Sequence, residues 1–144
     1  MKHLLFALSI LSGSTLYASE NSYTLTVEAN HFKNDNGEVQ FSLYNKDGTI
    51  PDKKLNLYFL KKRVQIKNGH AKASFKDLPK GKYAVSFYHD ENNNNKIDKG
   101  LVMPEEGVGL NNFKTINFFN LPNFKAASFM LNKNMKKEIK VIYF

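Results

Sequence analysis

The chain has 144 residues, with 21 Lys+Arg against 13 Asp+Glu, a formal charge of +8 and 42% hydrophobic content. That length fits one domain of roughly 100–200 residues, and the ordinary apolar content excludes wholesale disorder. The lack of cysteine excludes a disulfide scaffold, a Cys-ligated zinc or iron–sulfur site, a thiol nucleophile and a lipidated N-terminal Cys.

Lys2 and His3 precede the apolar run Leu4–Leu11, and small or neutral residues then lead to Tyr17-Ala18-Ser19. This order of positive, apolar and small-residue regions is that of a secretory signal peptide, with cleavage expected near Ala18. A membrane span needs about 20 apolar residues, far more than this run supplies. The reading is a signal peptide over 1–18 and a single domain over 19–144. That domain is exported to the periplasm or secreted and is not integral to the membrane.

Cleavage would remove one lysine and no acid, leaving 20 basic residues against 13 acids, a mature charge of +7. Nucleic acid is not the expected partner. Arg63 is the sole arginine, whereas phosphate and base recognition favours the planar guanidinium fork. The lysines are also scattered in ones and twos, as on a solvated face.

Period-two alternation dominates the mature chain. Tyr23, Leu25, Val27 and Ala29 share one strand face, and Val39, Phe41 and Leu43 share another. Asn34-Asp35-Asn36-Gly37 and Asn45-Lys46-Asp47-Gly48 are turn signals, because Asn and Gly tolerate positive φ. Leu55, Leu57 and Phe59 alternate like a strand, but Pro51 and the flanking lysines point to a short edge or a loop. Val64–Ile66, Asn68-Gly69 and Ala71–Phe75 read as a hairpin. Lys82–His89 carries apolar or small residues on both faces, which marks a central strand. Further strands are expected over Ala126–Asn132 and Glu138–Tyr143. About seven short strands with frequent turns predict an all-β, antiparallel β-sandwich. The irregular stretch from Asp90 to about Lys125 is too long for a simple connector and is the expected functional element.

Within that stretch, Asp90, Asn92, Asn94 and Asp98 place oxygen side chains at relative positions 1, 3, 5 and 9, with the Lys96 carbonyl at position 7. This is most of an EF-hand-type calcium loop. Asn95 stands at the position that needs a left-handed backbone, and Ile97 at the apolar position that pins the loop to the core. Leu101 occupies the place of the closing bidentate Glu, which leaves Glu105 or Glu106 as completing ligands. With so few carboxylates, calcium affinity would be on the order of 0.1–1 mM. The competing reading is an Asx-rich turn whose side chains bond their own backbone.

His89 ends the central strand beside this loop and is read as orienting it. His31 and His70 lie in or beside turns on separate strands and do not suggest a zinc site. Asp90/Glu91 and Glu105/Glu106 are adjacent pairs on extended chain, so the members of each pair point apart and make no acid–base constellation alone. No hydrolase, phosphate-loop or dinucleotide motif occurs. Phe113, Phe118, Phe119, Phe124 and Phe129, with Pro122, form an aromatic cluster. It reads as plugging an open end of the sandwich, or else as an apolar patch for a partner.

Four ordered motifs resemble one family. They are Leu78-Pro79-Lys80-Gly81-Lys82-Tyr83-Ala84-Val85, His89-Asp90-Glu91-Asn92-Asn93-Asn94 with Asp98, Pro104-Glu105-Glu106-Gly107-Val108-Gly109, and Pro122-Asn123-Phe124-Lys125-Ala126-Ala127-Ser128-Phe129. The family is the exported bacterial one catalogued as domain of unknown function 2141, and the likeness runs from about Tyr23 to Tyr143. Here Asn95 replaces the family's Gly, and Leu110 stands where an aromatic is common. The resemblance implies a transthyretin-like or carboxypeptidase-regulatory-like sandwich and carries no settled activity. The resulting expectation is a non-enzymatic binding or structural module with a calcium-like or ligand site in the 90–112 loop. Two alternatives stay open: a module for an anionic envelope polymer, lipid headgroup or envelope protein, and a hydrolase using the loop carboxylates.

Overall fold

A computed structural model describes residues 21–144. The expected signal peptide lies outside the described residues. Among the described residues no helix is long and apolar enough to cross a membrane.

Alternation builds the strands as expected. In β1 (Ser22–Asn30), Leu25, Val27 and Ala29 are buried while Thr24, Thr26 and Glu28 are half-exposed. Then follow β2 (Glu38–Tyr44), β3 (Leu60–Gln65), β4 (His70–Pro79), β5 (Gly81–Asp90), β6 (Val108–Leu110), the one-turn helix α1 (Phe124–Ala127), β7 (Phe129–Leu131) and β8 (Met135–Lys140). One sheet has the order β4-β1-β8; the other runs β3-β2-β5-β6, with β7 paired to β5. Leu25, Val27 and Phe75 of the first sheet pack against Phe41, Val85 and Phe87 of the second. The chain is an all-β sandwich.

The C-terminal strands are displaced from their expected bounds: Ala126 and Ala127 lie in α1, β7 is confined to Phe129–Leu131, and β8 runs over Met135–Lys140 where Glu138–Tyr143 was expected. Three further details depart from the expected layout. The described residues hold eight strands, because the long stretch contains β6. β8 runs parallel to β1, with Leu25 opposite Met135 and Asn30 opposite Lys140, so the sandwich is mostly rather than wholly antiparallel. The turn at Asn68-Gly69 is a corner instead of a hairpin. Lys67 and His70 form an isolated bridge there, while β3 pairs with β2 and β4 with β1 in different sheets. The sequence signals for a hairpin and for a sheet-changing corner are alike, since both need positive φ at Asn68 and Gly69. Residues 55–59 are loop and the strand begins at Leu60.

β5 is central, as its two apolar faces imply. It pairs with β2 along one stretch and with β6 and β7 along others. Its inner face joins the sandwich core. Its outer face carries Ala84, which packs with Tyr44, Ile50, Leu110, Phe113 and Phe124 in a second cluster. The segments 45–59 and 91–128, apart from β6, thus cover the outside of the second sheet as a third layer. The C-terminal residues stitch one edge of the sandwich: Val141 N–H donates to the Asn30 carbonyl, and Val108 and Ile142 exchange backbone hydrogen bonds. Gly109 permits the close approach of β6 to β5, because a Cβ there would overlap the Phe87 ring.

Candidate ligand-binding site

The polar loop leaves β5 at Asp90, whose side chain is fully buried. Arg63 on β3 reaches across β2 to meet it. The guanidinium donates to Asp90 Oδ2 at 2.7 Å, to Glu38 Oε2 at 2.7 Å and to the Tyr88 hydroxyl at 3.3 Å. Burial works against the Arg63 charge, but these three acceptors outweigh it and hold its pKa above the ordinary value. Asp90 also accepts the backbone N–H groups of Asn94 (3.0 Å) and Asn95 (2.9 Å), which closes the turn. Asn95 has φ +62°, the left-handed conformation expected at its position.

The remaining loop oxygens gather apart from Asp90. Asn92 Nδ2 donates to Asp98 Oδ2 at 2.7 Å, and Asn94 Nδ2 donates to Asp98 Oδ1 at 2.8 Å. The amide oxygens of Asn92 and Asn94 accept from the N–H groups of Asn94 and Lys96. Asn92, Asn94 and Asp98 therefore come together, while Asp90 turns inward to Arg63. Glu106 is buried behind the loop, accepting the N–H groups of Glu91 and Asp98 at 3.1 Å each. Burial pushes its carboxyl up, aided by the nearby Asp98 and Asp90 charges and opposed by those two N–H donors. Glu105 is exposed, and its N–H donates to the Asp98 carbonyl. Lys96 is exposed as well. Among the described residues no group of three or more His, Cys, Asp or Glu side chains is arranged to hold a metal.

His89 does not touch the loop through its side chain. Its Nε2 lies 2.7 Å from the Asn36 carbonyl, which can only accept, so Nε2 carries the proton. Nδ1 lies 2.9 Å from the Tyr143 hydroxyl and is hydrogen-bonded to it. The ring, fully buried against Phe32, ties the β1–β2 connection to the C-terminal segment. Its backbone does brace the loop: His89 N–H donates to the Gly107 carbonyl and Glu91 N–H donates to the His89 carbonyl.

On the other side of the same loop lies an open cleft of about 470 Å³ over the outer face of the second sheet. Ser42 and Tyr44 of β2, Ser86 and Tyr88 of β5 and Leu110 of β6 contribute to its floor. Three irregular segments wall it: Ile50–Leu55, Ile97–Pro104 and Ile116–Pro122. The volume falls within the roughly 300–1,000 Å³ of small-molecule sites, and the mostly apolar lining with a few polar groups has the composition of such sites. The Tyr44 hydroxyl donates to Asp52 Oδ2 at 3.2 Å. Burial chiefly pushes the Tyr44 hydroxyl up to about 12, with the Asp52 charge adding to the rise and Ser86 and Ser42 opposing it. Asp52 also accepts the N–H groups of Asn56 and Leu57, which fixes its wall.

The family model described as an uncharacterised protein conserved in bacteria (DUF2141) matches residues 27–140. The chain belongs to the DUF2141 family. No curated protein and no solved structure matches the chain. The match spans both sheets of this DUF2141 chain together with its long loop, from within β1 to the end of β8.

The aromatic residues do not form one cluster. Phe113 and Phe124 are buried in the third layer, whereas Phe118 lines the cleft at 75% exposure and Phe119 is fully exposed. Phe129 is half-buried against the inner core. Arg63, Tyr44 and Asp52 were not among the expected site residues of this DUF2141 chain. For Arg63 a signal existed, since a chain that otherwise uses lysine keeps one arginine where a forked donor must serve three acceptors. Tyr44 and Asp52 meet only through folding of the 45–59 segment, whose short alternation at Leu55, Leu57 and Phe59 does not reach Asp52.

Proposed function

We propose that this DUF2141 protein is an exported, non-enzymatic binding module that takes a small apolar molecule into the outer cleft. The observation that carries this reading is the apolar cleft of about 470 Å³, one wall of which is the 97–104 part of the long loop. The cluster of Arg63, Asp90 and Glu106 holds that wall in place from behind, through buried charge-assisted bonds. Val102, exposed at one rim, and Phe118 and Leu121, exposed at another, offer an apolar approach to it. Export rests on the apolar leader, Leu4–Leu11. The hydrolase alternative has less support, because Asp90, Asp98 and Glu106 are each engaged by Arg63, asparagine amides or backbone N–H groups.

The test uses dodecanol as a neutral apolar ligand, titrated by displacement of an environment-sensitive dye and by thermal melting. The expected result is saturable binding of one molecule per chain with a rise in Tm. A Val102→Asp change at the exposed rim is expected to weaken binding about tenfold, ~1.4 kcal/mol, with the melting curve of the free protein unchanged. Absence of saturable binding overturns the proposal.

A weak calcium site is the second reading, favoured by the convergence of Asn92 and Asn94 on Asp98. Turning both amides over would present oxygens to a cation beside that carboxylate. Calorimetric heat and a raised Tm at millimolar calcium support it; neither effect at that concentration removes it.

A further inference from the structure

A shallow polar depression adjoins the cleft and shares Lys53, Leu55, Ile97 and Lys99 with its wall. Lys54 and Lys96 complete a set of four lysines there, against Asp98 as the single carboxylate. All four lysines are exposed, so their ammonium groups remain hydrated. Asp98 is already engaged by Asn92 and Asn94. None of the four lysines takes part in an ion pair among the described residues. An apolar slot thus opens directly beside a patch of uncommitted positive charge. The cleft's other polar groups are neutral or acidic: Ser42, Tyr44, Ser86 and Tyr88 on the floor, Asn117 in one wall, and Asp52, buried in another wall beside the Tyr44 hydroxyl, where it would repel an anion from the interior.

Resting on the binding reading above, we propose that the ligand is a single-chain anionic amphiphile of the fatty-acid carboxylate type. Its chain lies on Leu110, Ile97 and Val102, and its carboxylate sits at the mouth between Lys53 and Lys99. Burial of the chain supplies most of the affinity. The lysines supply the choice of head group. Being exposed, each contributes modestly and in a salt-dependent way.

The test compares dodecanoate, dodecanol and dodecyltrimethylammonium on the full protein by dye displacement at low and at physiological ionic strength. Dodecanoate is expected to bind about tenfold more tightly than dodecanol at low salt, with the difference shrinking as salt rises. The dodecyltrimethylammonium cation is expected to bind most weakly. A Lys53→Gln/Lys99→Gln variant is expected to weaken dodecanoate more than dodecanol, bringing the two affinities together. Equal binding of dodecanoate and dodecanol, or an unchanged dodecanoate preference in that variant, overturns the head-group assignment and leaves the apolar-cleft reading standing. Failure of all three chains to bind overturns both.

Discussion

The second sheet is buried on two faces that differ in kind. Its inner face meets another sheet, and Val39, Phe41, Val85 and Phe87 interlock there with side chains held at fixed spacing by a regular backbone. Its outer face meets loops, and there Ser42, Ser86 and Tyr88 look into an open cleft of about 470 Å³. Two sheets can fill the space between them because both present side chains at period two. Irregular segments have no such repeat, so they cover a sheet without filling every gap. In this chain the regular layer specifies the fold and the irregular layer creates the cleft. The price is a set of buried polar groups that hold the loops in place.

That division implies that the largest single loss outside the core comes from the polar anchor between the layers. Arg63→Leu leaves the fully buried Asp90 carboxylate without its counter-charge, and a cost of about 3–5 kcal/mol is expected in urea denaturation. A loss below ~1 kcal/mol would mean that the loop is not anchored there. Glu106→Ala removes the side-chain acceptor of the Asp98 N–H and one of the two acceptors of the Glu91 N–H, and is expected to cost roughly 1–3 kcal/mol. Loosening the wall should also weaken ligand binding, so both readouts should move together.

The same region separates two neighbouring carboxyls by environment. Burial alone would raise Glu91, but hydrogen bonds from Lys33 and Asn34 and the Lys33 charge outweigh it, and the group titrates below the usual range. Its contribution to stability is present above the unfolded value and is lost as pH falls through the lower folded value. Glu106 is pushed up, chiefly by burial. Its contribution is present below the unfolded value and is lost as pH rises through the higher folded value. Carboxyl NMR titration is expected to show Glu91 ionising at lower pH than Glu106; the reverse order would contradict the assigned environments. At the small end, Phe119→Ser alters a fully exposed ring and is expected to change stability by no more than about 0.5 kcal/mol.

The regular layer was legible because its signal is local. Leu25, Val27 and Ala29, or Tyr83, Val85 and Phe87, declare their face by spacing alone, and the apolar residues on both sides of β5 declare it central. The parallel placement of β8 against β1 was not legible, since alternation says nothing about the direction of a partner strand. In the polar loop, the left-handed turn at Asn95 and the meeting of Asn92, Asn94 and Asp98 followed from spacing. The turning of Asp90 towards Arg63 did not, because its partner lies 27 residues earlier on a strand two places across the sheet. The cleft was least visible of all. Its walls come from three segments without periodicity, and only the surplus of apolar residues such as Leu101, Val102 and Phe118 in a loop hinted that something remained to be covered.

Isotope-edited NMR of the methyl groups during titration with dodecanoate tests the central claim most directly. Saturable shifts at Ile97, Val102, Val108 and Leu110, with Val27 and Ala73 between the sheets unmoved, are the expected result. Shifts centred on Val27 and Ala73, or no saturable shift anywhere, would contradict the assignment of the outer cleft as the binding site.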